Sequence, residues 1–231
     1  MGDGAWPWGG AVRGMRGRLV IAALAAALGL AVSAVPAGAS GIEATFAGSG
    51  SRVGFTVEMQ ATITVPSEVQ AGGQAQVTAW VMVTNADTGA TDVGYRQAGW
   101  IWESSSQTFH VYSESGVGSG ANVTSFTRWI GPTVSPGSTV TVAVDCDPYD
   151  QLVSTWYYAS GQWHQAGPSL TQPGLCVPGN WWNRMTEIDA PAGTPVTYTP
   201  VTFTGCADIN DWEGHLLHDV TGAQALSPGA P

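Results

Sequence analysis

The chain has 231 residues and a formal net charge of -10, and all seven of its basic residues are arginine. Only Arg52, Arg96, Arg128 and Arg184 lie beyond the first forty residues. So sparse a positive charge offers no patch to neutralise phosphates, which argues against nucleic acid and anionic membrane surfaces as partners.

The first forty residues read as an export signal. Arg13, Arg16 and Arg18 precede an apolar run from Leu19 to Val35, and Ala37-Gly38-Ala39 supplies a small-x-small cleavage pattern. The apolar run falls short of the ~20 residues a membrane span needs. The expected cut follows Ala39, and the sequence MRGRLVIAALAAALGL makes Met15 the more natural start. Residues 40–231 then form one secreted domain, read as a monomer with no membrane contact after cleavage, no cofactor and no metal.

From residue 53 onward the apolar spacing is two. Val53, Phe55, Val57, Met59, Ala61, Ile63 and Val65 alternate with polar or small residues until Pro66, which predicts a long half-buried strand. Further strands are predicted at about 75–85, 93–103, 107–115, 122–130, 138–146, 151–158, 161–166, 180–189 and 195–205. Turn clusters such as Asn85-Ala86-Asp87 and Ser135-Pro136-Gly137 separate them. Ala159-Ser160-Gly161 between Trp156-Tyr157-Tyr158 and Gln162-Trp163-His164 predicts a short-loop hairpin. Strands at this spacing, with no helical period between them, predict an antiparallel β-sandwich. After Cys206 the sequence turns irregular, and Ala223–Pro231 reads as a flexible tail.

Three cysteines follow the signal: Cys146, Cys176 and Cys206. If 180–189 and 195–205 form a hairpin about Pro191, Cys176 and Cys206 face each other and Cys146 is left over. Cys146–Cys176, or no bridge, are the alternatives. His215 and His218, among Asp208, Asp211, Glu213 and Asp219, read either as a metal site or as a polar solvated loop; the spacing lacks a complete calcium loop. The many tryptophans on predicted strands (Trp80, Trp100, Trp102, Trp129, Trp156, Trp163, Trp181, Trp182) read either as sandwich core or as a stacking surface. On strand 93–103, Trp100 and Trp102 share one face and Tyr95, Gln97 and Gly99 the other. One of those faces is expected to look at solvent or ligand.

The order of several short motifs resembles the glutamic peptidases of the eqolisin type. Thr78-Ala79-Trp80-Val81 is followed by Gly94-Tyr95-Arg96-Gln97-Ala98-Gly99. An aromatic strand comes next, Phe109-His110-Val111-Tyr112-Ser113-Glu114, then Ser135-Pro136-Gly137 opening a strand, then Trp156-Tyr157-Tyr158, and finally Glu187-Ile188-Asp189-Ala190-Pro191. The resemblance implies a concanavalin-like jelly roll with two seven-stranded sheets, secretion, acid proteolysis, and a catalytic Gln and Glu on a concave sheet face. It implies that Gln97 is the catalytic amide and that Trp80 matches the family's tryptophan. The family's A-W-V-G glycine is Met82 here. Aligning Asp189-Ala190-Pro191 with the family's E-A-P puts Met185 at the catalytic Glu position, so Glu187, two residues on and on the same face, is the candidate acid. Trp80, Tyr95, Tyr112 and Glu114 are the candidate substrate-binding residues. In such a site the carboxyl takes a proton from water and returns one to the leaving amine, and the amide orients the water and the oxyanion. The resemblance implies fastest hydrolysis at acidic pH and an extracellular polypeptide substrate. A non-catalytic module that binds polysaccharide or peptide through exposed aromatics, or a secreted structural domain, are the competing readings.

Overall fold

The period-two alternation becomes strands throughout, with no helix among the described residues. A computed structural model of the chain describes residues 42–52, 58–85, 93–119, 122–210, 215–220 and 224–226. The expected signal segment lies outside them, as do residues 53–57 of the first predicted strand. The strands are β1 (Ile42–Arg52), β2 (Glu58–Thr64), β3 (Val69–Ala71), β4 (Gln76–Thr84), β5 (Gly94–Glu103), β6 (Thr108–Ser119), β7 (Asn122–Val134) and β8 (Thr139–Asp147). They continue with β9 (Leu152–Ala159), β10 (Gln162–Gln165), β11 (Leu170–Thr171), β12 (Trp181–Pro191), β13 (Val196–Tyr198), β14 (Val201–Asn210), β15 (His215–Val220) and β16 (Gln224–Leu226).

Two antiparallel sheets make the sandwich. The first runs β1-β12-β4-β5-β6-β7. The second, of eight strands, runs β10-β9-β8-β2-β14-β15, with β11 on β9 and β16 on β14. The family resemblance implied seven strands in each; here the described sheets hold six and eight. A small two-stranded sheet joins β13 to β3. Between the two large sheets lies the core. Val77, Ala79, Val81, Ala98, Trp100 and Trp102 from the first meet Met59, Ala61, Ile63, Val142, Val144 and Phe203 from the second. Trp100 ties the layers further by donating its Nε1–H to the Thr64 carbonyl at 3.1 Å. Arg96, also buried, donates to Thr155 Oγ1 and to the Pro168 carbonyl, each at 2.8 Å. Burial lowers its pKa to about 10.

The predicted hairpin at Ala159-Ser160-Gly161 is β9–β10. Gln162 pairs with Ala159, and Ser160 and Gly161 carry φ of 54° and 83°, the double left-handed turn that matches strand twist. The hairpin expected about Pro191 does not form. A turn closed by the Thr194 N–H on the Pro191 carbonyl sends the chain out of the first sheet. It then runs through β13 into β14 of the second sheet, while β12 itself lies between β1 and β4. Cys176 and Cys206 therefore do not pair. The disulfide is Cys146–Cys176, with 5.3 Å between Cα atoms, and it holds the end of β8 to the loop ahead of β12. Cys206 is buried in the core on β14. Beyond it, where the sequence reads as irregular, β15 and β16 pair with β14. The side chains of the His215/His218 group are outside those described.

Candidate active site

Antiparallel register fixes which side chains share a face. On β12, Met185 lies opposite Trp80 of β4 and Glu187 opposite Thr78. On β5, Gln97 lies opposite Met82 of β4 and opposite Glu114 of β6. Glu114 in turn lies opposite Arg128 of β7. Alternation puts Thr78, Trp80, Met82, Tyr95, Gln97, Tyr112, Glu114, Arg128, Met185, Glu187 and Asp189 on the face of the first sheet turned away from the core. All six site residues expected from the sequence (Trp80, Tyr95, Gln97, Tyr112, Glu114 and Glu187) lie together there.

That face does not lie open. Trp80, Met82, Tyr95, Ile101 and Tyr112 are buried in a second apolar cluster, with Phe46 and Met185 packed against it. Both faces of β5 are therefore covered, contrary to the expectation that one looks at solvent. Half of the strand tryptophans are buried: Trp100, Trp102 and Trp182 in the sandwich core and Trp80 in this second cluster.

Within the cluster the polar groups form linked sets. Glu187 Oε2 accepts from Trp80 Nε1 at 3.0 Å and from Thr78 Oγ1 at 3.4 Å. Gln97 Nε2 donates to the Tyr112 hydroxyl at 3.0 Å, and that hydroxyl also bonds Thr78. Gln97 and Glu187 thus connect through Tyr112 and Thr78 rather than directly. Their levels on β4, Met82 and Thr78, are four residues apart, on the order of 13 Å along the strand.

Glu114 is engaged at both oxygens. Tyr95 donates to Oε1 at 2.5 Å, and Arg128 Nε to Oε2 at 2.6 Å. Arg128 also donates to Gln76 Oε1 at 2.7 Å, and Gln76 Nε2 reaches Asp189 Oδ2 at 3.3 Å. Sequence reasoning missed Arg128, Gln76 and Asp189 as members of this network. Parity along their strands was legible; the cross-strand register that brings them beside Glu114 and Glu187 was not.

The electrostatics follow from three carboxyl groups sharing one guanidinium. Burial raises the Glu187 pKa well above the ordinary carboxylate range, and the neighbouring charges of Asp189 and Glu114 add to it. The Trp80 hydrogen bond and Arg128 oppose the rise. Burial lifts Asp189 to about 7 against the pull of Arg128. The Tyr95 and Tyr112 hydroxyls are raised too, first by burial and then by the same carboxylates. Both remain proton donors at any ordinary pH. A carboxyl with a raised pKa, linked through Thr78 and Tyr112 to an amide on the same sheet face, can transfer a proton while the amide and phenols donate to a developing oxyanion. No group of side chains suited to a metal ion occurs among the described residues.

No family model matches this chain, and no curated protein does. Solved structures do. The chain is similar to scytalido-glutamic peptidase bound to a peptide-based transition-state analogue, at 20% identity, covering 80% of this chain and 87% of that one, with a TM-score of 0.52. It is also similar to SCP-B, a member of the eqolisin family of peptidases, in complex with the tripeptide Ala-Ile-His, at the same identity and coverage and a TM-score of 0.50. At this identity the likeness extends to the fold, an antiparallel β-sandwich.

Proposed function

We propose that the chain is a glutamic-peptidase-like hydrolase of polypeptides, with Glu187 as the proton-transfer group and Gln97 as its neutral partner. One observation carries this reading. Glu187 is buried, its pKa is raised well above the usual carboxylate range, and it accepts from the neutral donors Trp80 and Thr78. It lies on the same sheet face as Gln97, in a fold like that of known glutamic peptidases. Glu114 is the weaker choice of acid. It faces Gln97 directly, yet its two oxygens are already engaged by Tyr95 and Arg128.

In the proposed reaction the ionised Glu187 takes a proton from the attacking water and passes it to the leaving amine. Gln97 and Tyr112 donate to the oxyanion without adding charge. A carboxyl with a raised pKa ionises at higher pH than an ordinary glutamate. The acid limb of the rate profile therefore moves upward from the acidic range that the family resemblance implies. Trp80 fixes the carboxyl by its N–H, and Tyr95 and Arg128 fix Glu114. The Cys146–Cys176 disulfide supports work in an oxidising, extracellular setting.

The test is cleavage of an unfolded protein substrate between about pH 3 and 8, spanning the ordinary glutamate value near 4.3. Wild type should cleave, with its lower limb above that value. Glu187→Gln and Gln97→Ala should each abolish cleavage with melting temperatures preserved. A wild type inactive over the whole range, or an active Glu187→Gln, refutes the reading.

A further inference from the structure

The outward face of the second sheet carries a separate set of groups. Trp163 on β10 lies opposite Tyr158 on β9, Tyr158 opposite Thr141 on β8, and Thr141 opposite Thr62 on β2. The next row runs Gln165, Trp156, Ala143 and Gln60. Alternation points both rows away from the core, which takes Met59, Ala61, Ile63, Val142 and Val144 from the intervening positions.

Two aromatic rings lie together at the sheet's edge, partly open to solvent. Trp163 is 41% and Tyr158 46% exposed, and they meet edge to face with centroids 5.5 Å apart. The tight Ser160-Gly161 turn joins their strands, so the pair is held in place before any ligand arrives. Ordered aromatics bind at little entropic cost. Beside them the surface offers amides and hydroxyls. Thr62 and Thr141 share a 2.8 Å hydrogen bond, Gln165 donates to Ser169 Oγ at 2.7 Å, and the Gln60 amide lies one row over. Among the described residues, the charges that the register adds to this face are Glu58 and Asp145, opposite each other further along β2 and β8, and Asp147 at the end of β8. Among the described residues no basic side chain shares it.

We propose that this face binds a neutral polysaccharide chain. Its sugar rings stack on Trp163 and Tyr158, and its hydroxyls bond Gln165, Gln60 and the Thr62–Thr141 pair. Aromatic faces suit the C–H faces of pyranoses, and the amides and hydroxyls suit their O–H groups, whereas a purely apolar partner would leave those polar groups unpaired. These carboxylates repel uronate, sulfate and phosphate, which restricts the class to uncharged glycans. The site lies on the opposite sheet from Glu187 and does not depend on the peptidase reading.

Native affinity electrophoresis of the full chain tests it, in gels cast with barley β-glucan, soluble starch or polygalacturonate. Retardation by at least one neutral polymer and none by polygalacturonate is expected. Trp163→Ala and Tyr158→Ala should each weaken the interaction by about tenfold, the scale of one buried ring. Trp163→Phe should retain much of it, and Phe126→Ala, an exposed aromatic on the other sheet, should change nothing. The alanine variants remove exposed rings, so melting temperature should hold and cleavage should be untouched. Absence of retardation by both neutral polymers overturns the proposal. So does equal retardation of the alanine variants, stronger retention by polygalacturonate, or capture of proline-rich peptides on these rings in place of glycan.

Discussion

Replacing Asp189 by asparagine should stabilise the protein at neutral pH, and the gain should vanish in acid. Asp189 Oδ2 accepts weakly from Gln76, and Oδ1 is buried with no hydrogen-bond partner. Burial, offset in part by Arg128, lifts its pKa from 3.8 to about 7. The sign follows from proton counting. Below the unfolded value the group is neutral in both states and costs nothing. As pH rises toward the folded value the unfolded chain has released the proton and the folded chain has not, so stability falls. About three pH units at ~1.4 kcal/mol each set a ceiling of about 4 kcal/mol. Asp189 is only partly buried, and solvent screening brings the expected effect to ~1–2 kcal/mol. Asparagine copies the shape of the neutral carboxyl without its proton. Urea unfolding at pH 4 and pH 7 is the assay. The variant should gain ~1–2 kcal/mol over wild type at pH 7 and nothing beyond error at pH 4. A variant less stable than wild type at pH 7, or a gain equal at both pH values, would refute the linkage.

Cys146→Ser should cost about 3–4 kcal/mol on the chain-entropy estimate for a separation of 30 residues, whereas Cys206→Ser should leave the disulfide intact by non-reducing peptide mapping. Burial first, then the facing Asp145, raises the Glu58 pKa; Glu58→Gln should therefore raise the urea midpoint at pH 7 and leave it unchanged at pH 3. Trp80→Phe removes the donor to Glu187 at a cost of ~1–3 kcal/mol, and because that bond favours the charged carboxylate, the acid limb of cleavage should move to still higher pH. A Cβ at Gly116 would fall 2.1 Å from Tyr95 Cε1, so Gly116→Ala should displace the Tyr95 ring from Glu114 and cost ~1–3 kcal/mol in thermal unfolding.

Local pattern carried the strands from 75 to 189 to within a few residues, because a half-buried strand writes its burial as alternation. It carried the β9–β10 hairpin, because two consecutive left-handed residues need a Ser-Gly sort of turn. The turn at Pro191 was legible as a turn only. Whether a chain leaving a turn rejoins its own sheet or crosses to the other depends on partners distant in sequence, here β3 and β2, and that error carried the cysteine pairing with it. The same limit governed the site. Parity placed Gln97 and Glu187 on definite faces of their strands. The register that sets Glu114 between Tyr95 and Arg128, and Asp189 near Gln76, belongs to strand pairs and leaves no trace in either strand alone. Tyr95-Gln97-Gly99 and Trp100-Trp102 looked like a covered and an uncovered face, but large side chains on β4, β5 and β6 bury one another.

The candidate site rests on the middles of strands, not on loops, and those strands serve two masters. Along β5 the residues Tyr95, Gln97 and Gly99 belong to the site, while Arg96, Ala98 and Trp100 belong to the sandwich interior. Inserting or deleting a single residue in β4, β5, β6 or β12 would trade the two sets, placing Gln97 or Glu187 in the hydrocarbon interior and a core valine among the carboxyls. Such a protein can diversify its chemistry by exchanging one side chain for another in place. Changes of length must fall in the connections between strands, so among relatives sharing this fold the site strands should keep their lengths while the loops vary.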